Sequence, residues 1–325
     1  MKINFKFLKN KIKSKEAKII IFGLGYVGLK LFLQLKKSKY EVKGFDTDKK
    51  KIKLLQKLKS PVSYIADTEI KKNFTKKSLV ADLSELTNFD IIILCLPTPL
   101  TSTNKPDLSA IKNCMKTIQK YIRKNQLLIL ESTTYPGTTK EVVKPFIEKK
   151  KFNIGENYFL GYSPERDDPG SKFKYNKIVK ICSGITENCK KLCDFFYSRI
   201  VNKTIVATST GYAEFSKLYE NIYRSVNIGF VNEMKIISKK MGYDIYEIIR
   251  LAKSKPYGFK AFYPGPGIGG HCIPIDPYYL SWKANTFGIK AKFIELAGKI
   301  NVETTNWVYK QIIKKINKNS KILLL

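Results

Sequence analysis

The chain has 325 residues, 43% of them hydrophobic, with ordinary glycine and proline content; that supports a sizeable core over two domains and excludes collagen-like and disordered chains. The formal net charge of +33 is almost all lysine, spread along the whole sequence, with arginine only at 123, 166, 199, 224 and 250; nucleic-acid readers gather forked arginines in a stripe, so a lysine-heavy composition is the reading and no nucleic-acid partner is expected. No apolar run reaches bilayer-spanning length and the basic N-terminus lacks an apolar signal core, so no membrane association is expected and a cytoplasmic location is assigned.

Residues 1–16 form a basic N-terminal extension. The run KIIIF at 18–22 predicts a buried strand. Gly23-Leu24-Gly25-Tyr26-Val27-Gly28 follows, then a helical stretch, LKLFLQLKKS. A second strand, YEVKGFD, ends at Asp46, and another helix, DKKKIKLLQKL, comes after it. Strand-like runs recur at 90–96, 127–131, 158–162, 178–182 and 203–207, mostly separated by helical patterns. The alternation predicts an α/β fold over 17–208: a Rossmann-like, doubly wound parallel sheet with helices on both faces. From Thr210 the pattern changes to one long helical run at 211–240, a further helix DIYEIIRLAKS, a Gly/Pro-rich loop, and more helix to about 316. A mostly helical domain is expected over 209–316. Residues 317–325, ending KILLL, read as the first strand of a further, truncated domain.

The G-x-G-x-x-G run sits between a strand and a helix, where a dinucleotide pyrophosphate needs it. Gly23 allows the tight turn, Gly25 lets the ligand approach, and Gly28 lets helix and strand pack closely. Asp46 stands at about the ~20-residue offset of the carboxylate that accepts from a ribose 2′-hydroxyl, which favours NAD over NADP. Pro97-Thr98-Pro99 and Ser132-Thr133-Thr134 follow strands at their carboxyl ends, where open α/β sheets bind ligands.

Six cysteines are present, none in C-x-x-C spacing, and His271 is the one histidine; no metal site is expected. Cys272, in Gly269-Gly270-His271-Cys272-Ile273-Pro274-Ile275-Asp276-Pro277, lies between flexible glycines and the start of a helix, a setting that lowers a thiol pKa. The other five cysteines lie in strand or helix patterns and read as packing. Lys217 and Asn221 share a helix face, with Arg224 one turn further on. Glu165 and Arg166 follow another strand end as acid/base and anion-binding candidates.

In this order, GLGYVGL with Asp46, PTP, ESTTYPGTT, GYSPERDDPG, KLYENIYR and GPGIGGHCIPIDPYYL resemble the motif set of the UDP-glucose/GDP-mannose dehydrogenase family. The match runs from about residue 17 to the end. Histidine before the cysteine is similar to the branch acting on UDP-N-acetylhexosamines, and the ESTTYPGTT and PERDDPG wording is nearest to UDP-N-acetylglucosamine 6-dehydrogenases.

The resemblance implies oxidation of a sugar C6 alcohol to a carboxylate with two NAD. It implies Cys272 as nucleophile, Lys217 and Asn221 at the C6 oxygen, and Asp276, Thr133 and Glu165 around the hydrolytic water. Gly23, Gly25, Tyr26, Val27, Gly28, Asp46, Pro97, Thr98 and Thr133 would hold the cofactor. Glu165, Arg166, Lys217, Asn221, Arg224 and Gly269 would contact the UDP-sugar. It also implies a homodimer through the long helix, a role in surface polysaccharide precursors, and a missing C-terminal UDP-binding domain, without which turnover would be poor. Rival readings are UDP-glucose or UDP-ManNAc as the substrate, a hydroxyacid dehydrogenase of the 6-phosphogluconate type, which needs no cysteine nucleophile, a truncated non-catalytic NAD-binding remnant, and a basic nucleic-acid binder.

Overall fold

A computed structural model describes residues 2–167, 174–270, 273–317 and 319–323. The chain divides into two compact units, residues 1–101 with 106–217, and residues 218–325 with 102–105.

The first unit is built on seven strands: β1 (Lys18–Phe22), β2 (Glu41–Phe45), β3 (Ile91–Leu94), β4 (Leu127–Leu130), β5 (Phe159–Tyr162), β6 (Lys180–Gly184) and β7 (Thr204–Val206). Their order in the sheet is β2-β1-β3-β4-β5-β6-β7. Every residue of β3, β4 and β5 is buried. Strands covered on both faces need no polar alternation, which is why they read as unbroken Ile/Leu runs. Helices α2 (Tyr26–Lys37), α3 (Lys49–Gln56), α4 (Asp67–Asn73), α5 (Ser109–Ile118), α6 (Lys144–Glu148) and α7 (Glu187–Tyr197) lie between strands.

Pairing is parallel from β2 through β5 and again between β6 and β7. Between β5 and β6 it is antiparallel. The sheet is thus mostly parallel, where a wholly parallel one was expected. A parallel return requires a crossover, usually a helix. Among the described residues, the β5–β6 connection carries only a short 3-10 turn, Tyr175–Lys177.

The N-terminal residues are part of this unit, not an appendage. Helix α1 (Lys2–Ser14) buries Leu8 and Ile12, one turn apart, in the core. Lys11 reaches Asp90, whose oxygens lie 3.0 and 3.2 Å from its ammonium, and Arg123 and the Lys18 N–H donate to the same carboxylate. This carboxylate opens β3 and is fully buried, so three donors are needed to compensate its lost hydration.

Helix α8 (Thr210–Lys240) begins in the first unit and ends in the second. The second unit adds α9 (Ile245–Lys253), α10 (Asp276–Asn285) and α11 (Lys292–Ile313). Among its described residues, Val231, Ile245 and Ile249 form one buried apolar cluster. Asp244 caps α9 by accepting from the Tyr246 N–H at 3.0 Å. The strand expected over 317–325 has no counterpart among the described residues 319–323, which pair with nothing in a ladder. Ile322 and Leu323 are exposed; an apolar run without a partner strand forms no ladder. Among the described residues no helix is long and apolar enough to cross a membrane.

Candidate active site

The strand register sets the carboxyl edge of the sheet. Phe22 pairs with Phe45 on one side and Leu94 on the other, and the ladder runs one residue further at Gly23, Cys95, Glu131 and Ser163. Residues just past these ends therefore gather along one rim, where doubly wound sheets bind ligands.

At β1 the rim is the glycine loop. Gly23 has φ +92°, and a Cβ there would lie 2.3 Å from the Cys95 carbonyl oxygen. A Cβ on Gly28 would lie 1.8 Å from the Gly23 carbonyl oxygen. Both glycines are demanded by packing. Gly25 differs, since a Cβ there would meet nothing within 4 Å. It opens α2 with no side-chain cap, leaving N–H groups and open space for a pyrophosphate. Tyr26 is exposed and stacks on Tyr64 at 5.3 Å, while Val27 is half-buried in the first turn.

Asp46 accepts the Leu24 N–H at 2.8 Å and the Asp48 N–H at 2.9 Å, so the carboxylate that would meet a ribose also anchors the loop. The Thr98 hydroxyl donates to the Thr133 carbonyl at 2.8 Å, and the Leu96 N–H donates to Ser132 Oγ at 2.9 Å. These bonds join the segments after β3 and β4. Pro97 is exposed beside them. The uncapped helix, the open face at Gly25 and the carboxylate at β2 fit an NAD molecule.

Further along the rim stands a buried ionic group. Glu165 accepts the N–H groups of Arg166 at 2.8 Å and Asp167 at 2.7 Å. Its other oxygen lies 3.5 Å from the Lys180 ammonium, which is 3.0 Å from Glu131. Burial pushes the Glu165 carboxyl up, but Lys180, the Asp167 N–H, Lys217 and the Arg166 N–H outweigh it and hold it below its ordinary value. Glu131 is lifted by burial, which Lys180 offsets only in part. Arg166 spends one guanidinium donor on the Val179 carbonyl, 2.8 Å away. Lys217, on α8, is almost wholly buried. One turn earlier, Glu214 accepts from the Gly137 N–H at 2.6 Å and from the Thr139 N–H and hydroxyl at 2.8 and 2.6 Å.

In the second unit, the Asn221 amide donates to Asp276, the first residue of α10. Asp276 is buried, and Arg224 is exposed on α8. Gly269 and Gly270 both have positive φ, +56° and +81°, with no heavy atom within 4 Å of a Cβ built on either. The Gly265 N–H donates to Asn232 Oδ1 at 3.0 Å, and Asn232 is tied to Asn301 at 3.2 Å. His271 and Cys272 lie outside the described residues.

The five described cysteines are free. Burial pushes the thiols of Cys95, Cys182 and Cys189 up, and that of Cys114 to about 12, so none of these four is a ready thiolate. Sequence reasoning missed Glu131, Lys180 and Glu214. The first two left a legible signal, a charge inside or ending an apolar strand. Glu214 left only its three-residue spacing from Lys217.

Residues 17–201 match the UDP-glucose/GDP-mannose dehydrogenase family, NAD binding domain, and residues 211–303 match the central domain of that family. The chain is similar to the UDP-N-acetyl-D-glucosamine 6-dehydrogenase of Pseudomonas aeruginosa, 36% identical over 92% of this chain and 71% of that one. It is also similar to the UDP-N-acetyl-D-mannosamine dehydrogenase of Pyrococcus horikoshii, 34% identical over 87% of this chain and 68% of that one. A solved structure of UDP-D-ManNAc dehydrogenase from Pyrococcus horikoshii superposes with a TM-score of 0.82 at 30% identity, covering 91% of this chain and 71% of its own.

Proposed function

The chain belongs to the UDP-glucose/GDP-mannose dehydrogenase family, and from that premise we propose that it oxidises C6 of a UDP-N-acetylhexosamine, UDP-GlcNAc first, to the uronic acid. It is an NAD-dependent nucleotide-sugar dehydrogenase. The likeness to the Pseudomonas enzyme carries the choice of UDP-GlcNAc. UDP-ManNAc is the second reading, favoured by the likeness to the Pyrococcus enzyme.

Two NAD, bound in turn, would each supply the acceptor for one of the two hydrides that leave C6. Lys217 donates to the C6 oxygen and stabilises negative charge there, with Asn221 holding the same atom. The Cys272 thiolate adds to the aldehyde carbon as a thiohemiacetal, whose oxidation gives a thioester. Asp276, Thr133 and Glu165 place the water that cleaves it, releasing carboxylate and thiol. Arg166, Arg224 and Gly269 bind the UDP-sugar. The pairing of Asn221 with Asp276 supports this division of labour. Both residues lie in the second unit, and Asp276 is four positions from Cys272 in the chain. The raised thiols of Cys95, Cys114, Cys182 and Cys189 support it by setting those four aside as nucleophiles.

Two copies pair through α8. Tyr219, Tyr223, Phe230 and Ile237 are exposed on that helix at steps of four and seven residues, an apolar seam that favours a second helix. The setting is the cytoplasm, where free cysteines persist, and the uronic acid product serves surface polysaccharide synthesis.

The test is NADH formation with UDP-GlcNAc, UDP-ManNAc and UDP-glucose, with uronic acid measured in wild type and Cys272→Ser. The expected result is preference for UDP-GlcNAc and loss of acid formation in the variant. Preference for UDP-glucose overturns the substrate, and undiminished acid formation in the variant overturns the nucleophile.

A further inference from the structure

The reversal of β6 has a chemical consequence. Because β6 runs against β5, its first residue, Lys180, arrives at the rim where β4 and β5 end. A parallel strand would have put that residue at the opposite edge. There the ammonium sits 3.0 Å from Glu131, 3.5 Å from Glu165 and 3.4 Å from the Tyr175 hydroxyl, and 5.1 Å from the centre of the Tyr197 ring. The Tyr197 hydroxyl donates to the other oxygen of Glu131. The Lys180 side chain is 4% exposed, Glu131 0% and Glu165 11%.

The same strand grips the loop that carries Glu165. The Ser163 hydroxyl donates to the Ile181 carbonyl at 2.7 Å, and Arg166 donates to the Val179 carbonyl at 2.8 Å. Three successive residues of the chain, 179 to 181, thus hold residues 163, 165 and 166. The side chain of the middle one supplies a charge.

That charge is fixed. Burial alone would lower the Lys180 pKa, but Glu131 and Glu165 outweigh it and lift it above its ordinary value, so the ammonium does not titrate in any working range. The groups facing Glu165 are Lys180 from β6, Lys217 from α8, Glu131 from β4, Tyr175 from the turn before β6, and Cys95 after β3. Lys180 is a buried cation in ion-pair contact with it. A buried ion pair is weak evidence of stability, because apolar side chains of the same volume often do as well. Here it adjoins a carboxylate that the proposed chemistry uses.

We propose that Lys180 is a positioning residue that fixes Glu165, in charge and in direction, for the dehydrogenase reaction. The proposal rests on the role given above to Glu165. Without the cation, the buried carboxyl takes up a proton more readily, and the acid limit of activity moves to higher pH.

Two variants test it. Lys180→Met leaves Glu131 and Glu165 buried without their cation and can fail to fold. The double variant Lys180→Met/Glu131→Gln keeps the net charge of the three side chains at that of the wild type, and removes the ammonium from Glu165. Lys180→Arg restores a cation. The first readout needs no turnover: titration of the Glu165 carboxyl by carbon-13 NMR, with glutamate labelled at Cδ and the signal assigned by its loss in Glu165→Gln. The second is the acid limb of kcat/KM for NADH formation with UDP-GlcNAc.

The double variant is expected to bind protons at Glu165 at least tenfold more tightly than Glu131→Gln alone, the reference that isolates the loss of the ammonium. Its acid limb should shift upward by the same factor, and Lys180→Arg should return most of the way to wild type. An unmoved titration in the folded double variant overturns the proposal and leaves Lys180 as packing. A moved titration with an unmoved acid limb overturns the role of Glu165 in the reaction, and with it the catalytic consequence claimed for Lys180. Those two failures are told apart by the first readout alone.

Discussion

Glu214 is fully buried and accepts three hydrogen bonds from residues 137 and 139. It sits at the N-terminal end of the helical segment that starts at Thr139, where a negative charge is favoured. Burial still dominates and pushes its pKa from 4.5 to about 7, partly offset by the Thr139 and Gly137 donors. The ionised form is therefore disfavoured in the fold relative to the unfolded chain. The stability linked to this group is fully present below 4.5 and is lost as pH rises through about 7. That displacement is worth roughly 3 kcal/mol. In urea unfolding, the loss of stability between pH 5 and pH 8 should be smaller in Glu214→Gln than in wild type, by up to about that amount. An equal loss in both would show that Glu214 does not titrate there. Lys217 stands three residues further on the same helix, so the bonds of Glu214 to residues 137 and 139 also fix the turn that bears Lys217.

At the scale of elements, α1 and β6 show why local pattern misleads. The first sixteen residues are so rich in lysine that they read as an extension. Their apolar residues nevertheless recur at helical spacing, and Leu8 and Ile12 reach the core. The Tyr40 hydroxyl donates to the Ile12 carbonyl at 2.9 Å, closing the end of the helix against the core. Ile12→Ala should cost roughly 2–4 kcal/mol by loss of buried methyl groups and the cavity left behind, measured by chemical denaturation. A cost near zero would return α1 to the status of an appendage. Strand β6 was legible as a strand, because IVKIC is apolar around one lysine. Its direction was not legible, since a strand's own side chains are the same whichever way its neighbour runs.

At the scale of the whole molecule, the two units carry different kinds of surface. The sheet unit buries its central strands β3, β4 and β5 completely, whereas the helical unit leaves large apolar side chains of α8 in solvent. Exposed side chains at seam spacing add little to the stability of one chain but much to a pair. A Phe230→Glu/Ile237→Glu variant should sediment as a monomer with its folded signature intact, against a dimeric wild type. A monomeric wild type, or a variant that stays dimeric, would move the interface elsewhere.

The sequence by itself determined the dinucleotide half of this protein. KIIIF, the three glycines and Asp46 each have one local geometry that suits them, so strand, turn, helix start and carboxylate follow from neighbours in the chain. The helical run that carries Lys217 and Asn221 was legible in the same way, whereas Cys272 lies outside the described residues. Tertiary structure alone decided the rest. Glu214 meets partners 75 and 77 residues away, and Lys180 meets Glu131 from 49 residues away. Those meetings depend on which strand lies beside which, and on the direction of β6. Strand order and direction are set by the packing of the whole sheet, and no short stretch of residues encodes them.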